Sequence, residues 1–337
     1  MNQTPVGILS TGMYIPTPRM TAAEIAQLSN IPVQVISEKF GIVEKPIPGP
    51  DDHPCAMGAN AAKIALEKAK ISADEIDVII SISEEYKEYP LMVSGIKIQQ
   101  LIGAKNAWAV DIAQRCCTAI SGLKMAKGLM QADPSIRTVL LAGGYRNGDL
   151  IDYRNPRVSF MYSLAAAGGA IILRRGLEKN QLLGSALITD GDFADDVHVP
   201  SGGTVSPLKP EDIGTENCML DVIDVEGMKN RLAERSHKNF LGVIHQALKA
   251  SDLGVSDLNY LALLHMKRSA HEATLKDLNM TLEQSVYLEK YGHLGQFDPI
   301  LSIELGLAQN RIKPGSVIAL ASAGVSYAWG SSVIRWG

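Results

Sequence analysis

Apolar, strand-like runs alternate with small-residue, helix-compatible runs along the whole 337-residue chain. That alternation predicts an α/β protein with largely parallel sheets. A weak internal repeat adds a second constraint. Thr138-Val-Leu-Leu-Ala-Gly-Gly and Gly168-Gly-Ala-Ile-Ile-Leu-Arg have counterparts in Ser316-Val-Ile-Ala-Leu-Ala-Ser and Gly330-Ser-Ser-Val-Ile-Arg. Both halves therefore end in a strand, a glycine-containing loop and a final strand, which predicts two similar halves packed on each other. Third, the segment after Cys117 is nearly apolar all round, with Ala119, Ile120, Leu123, Met125, Ala126, Leu129 and Met130. A helix of that kind is buried on several faces, so it is expected between the halves.

Taken in order, residues 6–10 read as a strand, followed by a turn-rich loop from Thr11 and a short helix over 22–28 capped by Thr21. Gly41, Pro46, Pro48, Gly49 and Pro50 make 41–56 an irregular loop. A helix over 57–70, a strand over 76–82, a polar acidic loop over 83–90 and a helix over 93–102 follow. The run 107–112 reads as a buried strand leading to the Cys helix, and strands are expected at 139–142 and 170–173. The second half opens near Leu182 with a strand at 184–189, a Gly/Pro/Asp-rich loop over 190–215 and a long amphipathic helix over 227–251. A strand at 260–264 reaches His265; helices fill 267–291 and 299–310, and strands at 317–320 and 332–334 close the chain.

Composition excludes several classes. Hydrophobic content of 46% and charged content of 20% are those of an ordinary globular protein, and a net charge of −4 gives no reason to expect nucleic acid as a partner. No apolar run approaches the ~20 residues of a membrane span. No basic region followed by an apolar core marks the first residues, so no leader is expected. The four cysteines, Cys55, Cys116, Cys117 and Cys218, form no CxxC pair, so no metal site is expected, and free thiols point to a reducing cytoplasm. There is no P-loop and no GxGxxG after a strand, hence no nucleotide site.

Chemistry concentrates on a few residues. Cys116-Cys117 lies near a helix start, where unpaired N–H groups and the helix dipole stabilise a thiolate nucleophile. On this stretch alone, a buried packing role for both cysteines stands beside that reading. His265 ends a strand, the place where α/β sheets collect ligands, and reads as a base or hydrogen-bond donor. His293 lies in the glycine-flanked loop Tyr291-Gly-His-Leu-Gly-Gln, which suits close approach by a ligand but equally describes a surface histidine. His53, His198, His237, His245 and His271 read as loop or helix-surface residues. Glu84 and Glu85 offer a general base or simply a solvated acidic loop, and Gly202, Gly203 and Gly324 offer backbone N–H groups or simple turns.

With Cys116, His265 and the Gly292-His293 loop in that order, the chain resembles the thiolase-fold condensing enzymes, and within them the β-ketoacyl-acyl-carrier-protein synthase III type. Six segments carry the resemblance nearly end to end. They are Val6-Gly-Ile-Leu-Ser-Thr-Gly-Met-Tyr-Ile-Pro, Phe40-Gly-Ile, Met57-Gly-Ala-Asn-Ala-Ala, Asp111 with Cys116 five residues on, Arg311-Ile-Lys-Pro-Gly-Ser and Tyr327-Ala-Trp-Gly-Ser-Ser-Val-Ile-Arg-Trp. The resemblance implies a thiolase-like α/β fold whose two similar halves, 1–176 carrying the cysteine and 177–337 carrying both histidines, stack in an αβαβα arrangement. It selects Cys116 over Cys117 as nucleophile, His265 and His293 as catalytic partners, and the backbone N–H groups of Cys116 and roughly Ser326 as the oxyanion hole. It implies acyl transfer from coenzyme A or an acyl carrier protein to Cys116, decarboxylative condensation with a malonyl thioester, a homodimer, and no permanently bound cofactor.

The chain also departs from that family. His293 stands where synthase III enzymes carry Asn, Leu264-His265-Met-Lys-Arg replaces Pro-His-Gln-Ala-Asn, Val35 or a neighbour replaces a tryptophan, and Gly324-Val-Ser replaces a glycine triplet. The alternatives are a non-condensing acyltransferase acting on an alcohol or amine, a 3-hydroxy-3-methylglutaryl-CoA synthase-like enzyme with a Glu base, and a non-catalytic partner subunit. Retention of Cys116 speaks against the last, and Ala321-Ser-Ala-Gly lacks the second cysteine of a thiolase.

Overall fold

The structure, a computed structural model, describes residues 4–337. In chain order it runs β1 (Val6–Tyr14), β2 (Arg19–Thr21), α1 (Ala22–Ser29), β3 (Glu44–Pro46), α2 (Pro54–Ala69), β4 (Val78–Ser81), α3 (Ser94–Ile102), β5 (Trp108–Asp111), α4 (Thr118–Ala132), β6 (Thr138–Tyr145) and β7 (Ala167–Arg175). It continues through β8 (Gln181–Thr189), β9 (Val197–His198), β10 (Asp221–Val222), α5 (Val225–Lys249), β11 (Leu258–Leu263), α6 (Arg268–Asp277), α7 (Asp298–Ala308), β12 (Val317–Gly324) and β13 (Ala328–Arg335).

The large sheet has the order β11-β12-β13-β8-β1-β7-β6-β4-β5, and its two parts touch through the single pair Gly7–Gln181 of β1 and β8. On either side of that seam the chain repeats one path. A seam strand (β1 or β8) crosses by an outer helix (α2 or α5) to a second strand (β4 or β11). A central helix (α4 or α7) then leads to a parallel neighbour (β6 or β12), and the last strand (β7 or β13) returns antiparallel. Helix α4 packs on β6 and β7 from one side and on β8, β12 and β13 from the other, while α7 packs on β1, β11 and β12. Helices α2 and α3 cover one outer face and α5 the other, which makes the layers αβαβα. The helix predicted from its all-round apolarity does lie between the sheets.

Several expectations are corrected. Only β4–β5, β4–β6 and β11–β12 are parallel; the remaining pairs in the large sheet are antiparallel. Between β12 and β13 only residues 325–327 intervene, too few for the crossover a parallel return requires. The run 107–112 is an edge strand rather than a buried one, with Trp108 50% and Val110 37% exposed. The segment 267–291 is not filled by helix. Helix α6 ends at Asp277, and Asn279 with φ 53° turns the chain out; after a 3-10 turn at Leu282–Gln284 the chain runs without helix and turns at 289–291, where Glu289 O accepts from Val43 N–H beside β3. Strand β1 continues to Tyr14, into the predicted loop, because it pairs with the Gly168–Gly169 stretch of β7.

Helix α2 sits on β1, β6 and β7 through glycines. A Cβ on Gly12, Gly144 or Gly168 would lie 2.2 Å from the carbonyl oxygen of Ala61, Pro54 or Met57 respectively. Backbone faces backbone, so no rotamer relieves the clash. Gly168→Ala is expected to lower stability by roughly 3 kcal/mol, the upper part of the overpacking range, read as a shift in urea midpoint without a change in slope.

Candidate active site

Strand β5 ends on Asp111, whose carboxylate accepts from the N–H groups of Ser94 (2.8 Å) and Gly95 (2.7 Å) at the start of α3. The Asp of the Asp111–Cys116 spacing is thus a helix anchor. Beyond it the chain turns sharply. Arg115 holds φ 50°, in the left-handed region, while Thr118 accepts from Gln114 N–H (2.8 Å) and donates to the Arg115 carbonyl (2.6 Å). Cys116 sits in the resulting 3-10 turn, Arg115–Cys117, directly before α4. The turn joining β12 to β13 passes over it, with Gly324 so close that a Cβ there would lie 3.0 Å from the Cys116 nitrogen. In this second turn Ser326 has φ 77°.

The two cysteines part here. Cys116 Sγ lies 3.0 Å from His293 Nε2. Cys117 points the other way and donates to the carbonyls of Ser322 and Ala328, both at 3.3 Å, and burial pushes its pKa up.

His293 is held by the opposite sheet. Its backbone N–H donates to Ser163 O (2.8 Å), its carbonyl accepts from Ala165 N–H (3.0 Å), and Gly292, with φ 62°, abuts the Ser163 carbonyl. Its Nδ1–H donates to Asp298 Oδ2 at 2.5 Å. Asp298, fully buried at the first position of α7, also accepts from the backbone N–H groups of His265 (2.6 Å) and Leu294 (2.7 Å). Burial alone lowers the His293 pKa, but the charges of Cys116 and Asp298 outweigh it and hold the pKa well above the ordinary histidine value. Cys116, His293 and Asp298 therefore form a relay of thiol, imidazole and carboxylate able to generate a thiolate.

His265 is placed differently. Its ring nitrogen Nε2 lies 3.1 Å from Gly41 O and donates to it, while Nδ1 is buried without a partner. Burial pushes its pKa down to about 4, and that of His271, stacked edge-on against Tyr287 and likewise buried, to about 4. The expectation that His271 lies on a helix surface is corrected: α6 turns it toward 287. The unfolded chain binds protons near pH 6.5 that the native state refuses, so these groups make stability fall as pH drops from about 6.5 toward about 4. Urea midpoints measured across that window in wild type and His271→Phe should converge at low pH.

A cavity of ≈ 970 Å³ opens on this relay. Cys116, His265, His293, Glu84, Arg115 and Tyr145 line its reacting end, and Leu150, Phe160, Met161 and Leu220 give it an apolar wall. Gly202, Gly203 and Gly324, read as backbone N–H donors or simple turns, reach the lining, as does His198. Glu84 is not solvated: it is 2% exposed, paired with Arg115 at 3.2 Å, and its pKa is raised by burial against the pull of that guanidinium. Its neighbour Glu85 lines the cavity as well but is exposed.

Sequence reasoning missed Asp298, Arg115, Asn147 and Tyr145. The one available signal was Asp298-Pro299, five residues after His293, which reads as an acidic residue opening a helix. Lys45 was also missed. Fully buried, with its pKa lowered to about 7 by burial, it donates to Tyr153 Oη and Tyr162 O (both 2.7 Å) and to Leu164 O. It thereby ties down the Ser163 segment that carries His293.

Comparisons with known proteins point to one family. The sequence model described as 3-oxoacyl-[acyl-carrier-protein (ACP)] synthase III matches residues 110–191, and the one described as its C-terminal part matches 248–336. The beta-ketoacyl-[acyl-carrier-protein] synthase III of Acaryochloris marina is 28% identical over 345 residues, covering 100% of this chain and 99% of that protein. The crystal structure of the beta-ketoacyl-[acyl carrier protein] synthase III from Thermus thermophilus superposes with a TM-score of 0.85 at 21% identity, over 98% of this chain and 99% of that one. The priming β-ketosynthase of the R1128 polyketide pathway gives 0.85 at 18% identity, over 99% and 97%. At these identities the structural likenesses speak for the fold.

Proposed function

The chain belongs to the 3-oxoacyl-[acyl-carrier-protein] synthase III family of thiolase-like condensing enzymes, and we propose on that premise that it loads an acyl group from a coenzyme A or carrier-protein thioester onto Cys116 and condenses it with a malonyl thioester. The observation that carries this reading is the Cys116–His293–Asp298 relay at the end of an apolar-walled cavity. His293 takes the thiol proton at Nε2 while Asp298 steadies the imidazolium through Nδ1–H. The sulfur attacks the thioester carbon, and the oxyanion is met by the N–H groups of Cys116 and Ser326. Collapse breaks the carbon–sulfur bond to the donor, whose thiolate leaves and takes its proton from solvent, so that His293 stays an imidazolium.

In the second step the malonyl carboxylate leaves as CO2. Its bonding electrons form an enolate that attacks the acyl carbon and expels Cys116. The enolate oxygen needs donors: imidazolium Nε2–H of His293 supplies one, and His265 supplies the second by exchanging the Gly41 carbonyl for the substrate oxygen. A second reading, acyl transfer to an alcohol or amine, draws support from one observation. With Nε2–H of His265 engaged by Gly41, the second enolate donor is occupied, and O- or N-acyl transfer needs a base but no enolate donors.

Intact mass after incubation with acyl-CoA, followed by addition of a malonyl thioester, separates the two. Loss of the adduct matched by CO2 release supports condensation; an adduct that persists until an alcohol or amine is supplied supports the second reading. An adduct that never forms refutes both.

The remaining assignments follow the same footing. We take 1–176 and 177–337 as the two halves. Pairing of two copies through β5 is supported by its unpaired outer edge and by its exposed Trp108 and Val110. Lys267, stacked over Phe40 at the cavity lining, offers a cation to an acidic carrier or a coenzyme A phosphate. Cys55, Cys116, Cys117 and Cys218 are free thiols, as suits the cytoplasm. Among the described residues, no helix is long and apolar enough to cross a membrane.

A further inference from the structure

The relay leaves one buried carboxylate of the cavity unused. Glu84 is 2% exposed; its Oε2 accepts from Arg115 at 3.2 Å, and its Oε1 is buried with no partner. Asn147 lies near the same carboxylate, and its Oδ1 is also buried and unpartnered. His265, 5% exposed, adds Nδ1, an unpartnered lone pair so long as Nε2–H stays on Gly41. All three residues line the cavity that holds Cys116.

These are three hydrogen-bond acceptors, and a buried acceptor left unmet costs about 1–3 kcal/mol. The molecule that satisfies them must bring donors. A malonyl thioester presents carboxylate and carbonyl oxygens at its reacting end, which are acceptors themselves. A primary amine or an alcohol presents N–H or O–H.

We propose a second acceptor activity for this site: the acyl group on Cys116 is passed to a small primary amine or alcohol that Glu84 binds and deprotonates, with Asn147 and His265 accepting from it. This rests on the acyl-Cys116 reading. The amine nitrogen or alcohol oxygen attacks the thioester carbon, forming a C–N or C–O bond and breaking the bond to Cys116 Sγ. The N–H or O–H proton goes to Glu84 Oε1, and the released thiolate regains a proton from His293. Arg115 at Oε2 keeps a positive charge beside the carboxylate in its proton-accepting form.

The test is single-turnover deacylation of the full-length acyl-enzyme, followed by intact mass, with ethanolamine as probe and acetonitrile as a solute without donors. Wild type should lose its adduct faster with ethanolamine and yield the acylated amine or ester, with acetonitrile inert. Glu84→Gln should lose about 10²-fold of that acceleration, the span of a positioned general base, and Glu84→Asp should recover part of it. Adduct formation by each variant reports that it is folded. An adduct that condenses with malonyl thioester but ignores ethanolamine overturns the proposal alone. So does equal acceleration in Glu84→Gln, or Glu84-dependent deuterium uptake into the bound acyl group from D2O without an ethanolamine effect, which would give the carboxylate to a C–H bond. No adduct in wild type overturns the acyl-Cys116 reading together with it.

Discussion

Cys116→Ala is expected to form no acyl adduct under conditions where wild type is fully labelled, whereas Cys117→Ala should label at close to the wild-type rate. The two thiols are neighbours in sequence and opposite in surroundings. Cys116 has His293 Nε2 at 3.0 Å and the open cavity in front of it. Cys117 is sealed, donates to two carbonyls of the β12–β13 pair, and has its pKa pushed up by burial, so it stays a thiol. The measurement is intact mass over time after addition of acyl-CoA. Loss of the adduct in Cys117→Ala with retention in Cys116→Ala would reverse the assignment. A modest fall in stability for Cys117→Ala, about 1 kcal/mol, is the cost of a small buried void.

Asp298→Asn is expected to slow acylation of Cys116 by roughly 10²–10⁴-fold, the range seen when a catalytic imidazole loses the carboxylate that orients it. Asp298 receives three donors, from His293 Nδ1, His265 N and Leu294 N, and the amide has one acceptor oxygen to offer them. The sign of the accompanying pH effect follows from charge. Asp298 and Cys116 raise the His293 pKa; without the carboxylate it falls, the imidazolium is less favoured, and the thiol yields its proton only at higher pH. The pH profile of iodoacetamide alkylation at Cys116 should therefore move to higher pH in Asp298→Asn. A slower variant with an unmoved profile would mean that Asp298 only packs α7.

Much of this was legible in the chain because it is written in local patterns. Thr21 with Glu24 makes a capping box at the predicted helix start, and the all-round apolarity of α4 placed it between layers. The Cys–His–His order was readable too, since it needs only residue types in sequence. Most of the misses depend on contacts between distant segments, and Asp298 on the shape of one loop. The run 107–112 has the composition of a buried strand, yet being last in its sheet leaves one face of it open. Glu84 sits in an acidic loop but is swallowed by the cavity because Arg115, 31 positions on, pairs with it. Asp298 opens a helix like many acids, and only the return of the Tyr291–Leu294 loop brings His293 to it.

The sequence alone determined the α/β alternation, the doubled architecture and the residue types of a thioester-handling site, because hydrophobic period, capping and turn chemistry act over a few residues. Which cysteine meets a base, which carboxylate completes the relay, and that His265 donates to Gly41 were decided only by tertiary structure. The first and the last depend on where a side chain from one half lands against the other, and the second on how the loop after His293 folds back onto the start of α7; no local pattern encodes a distance across a seam.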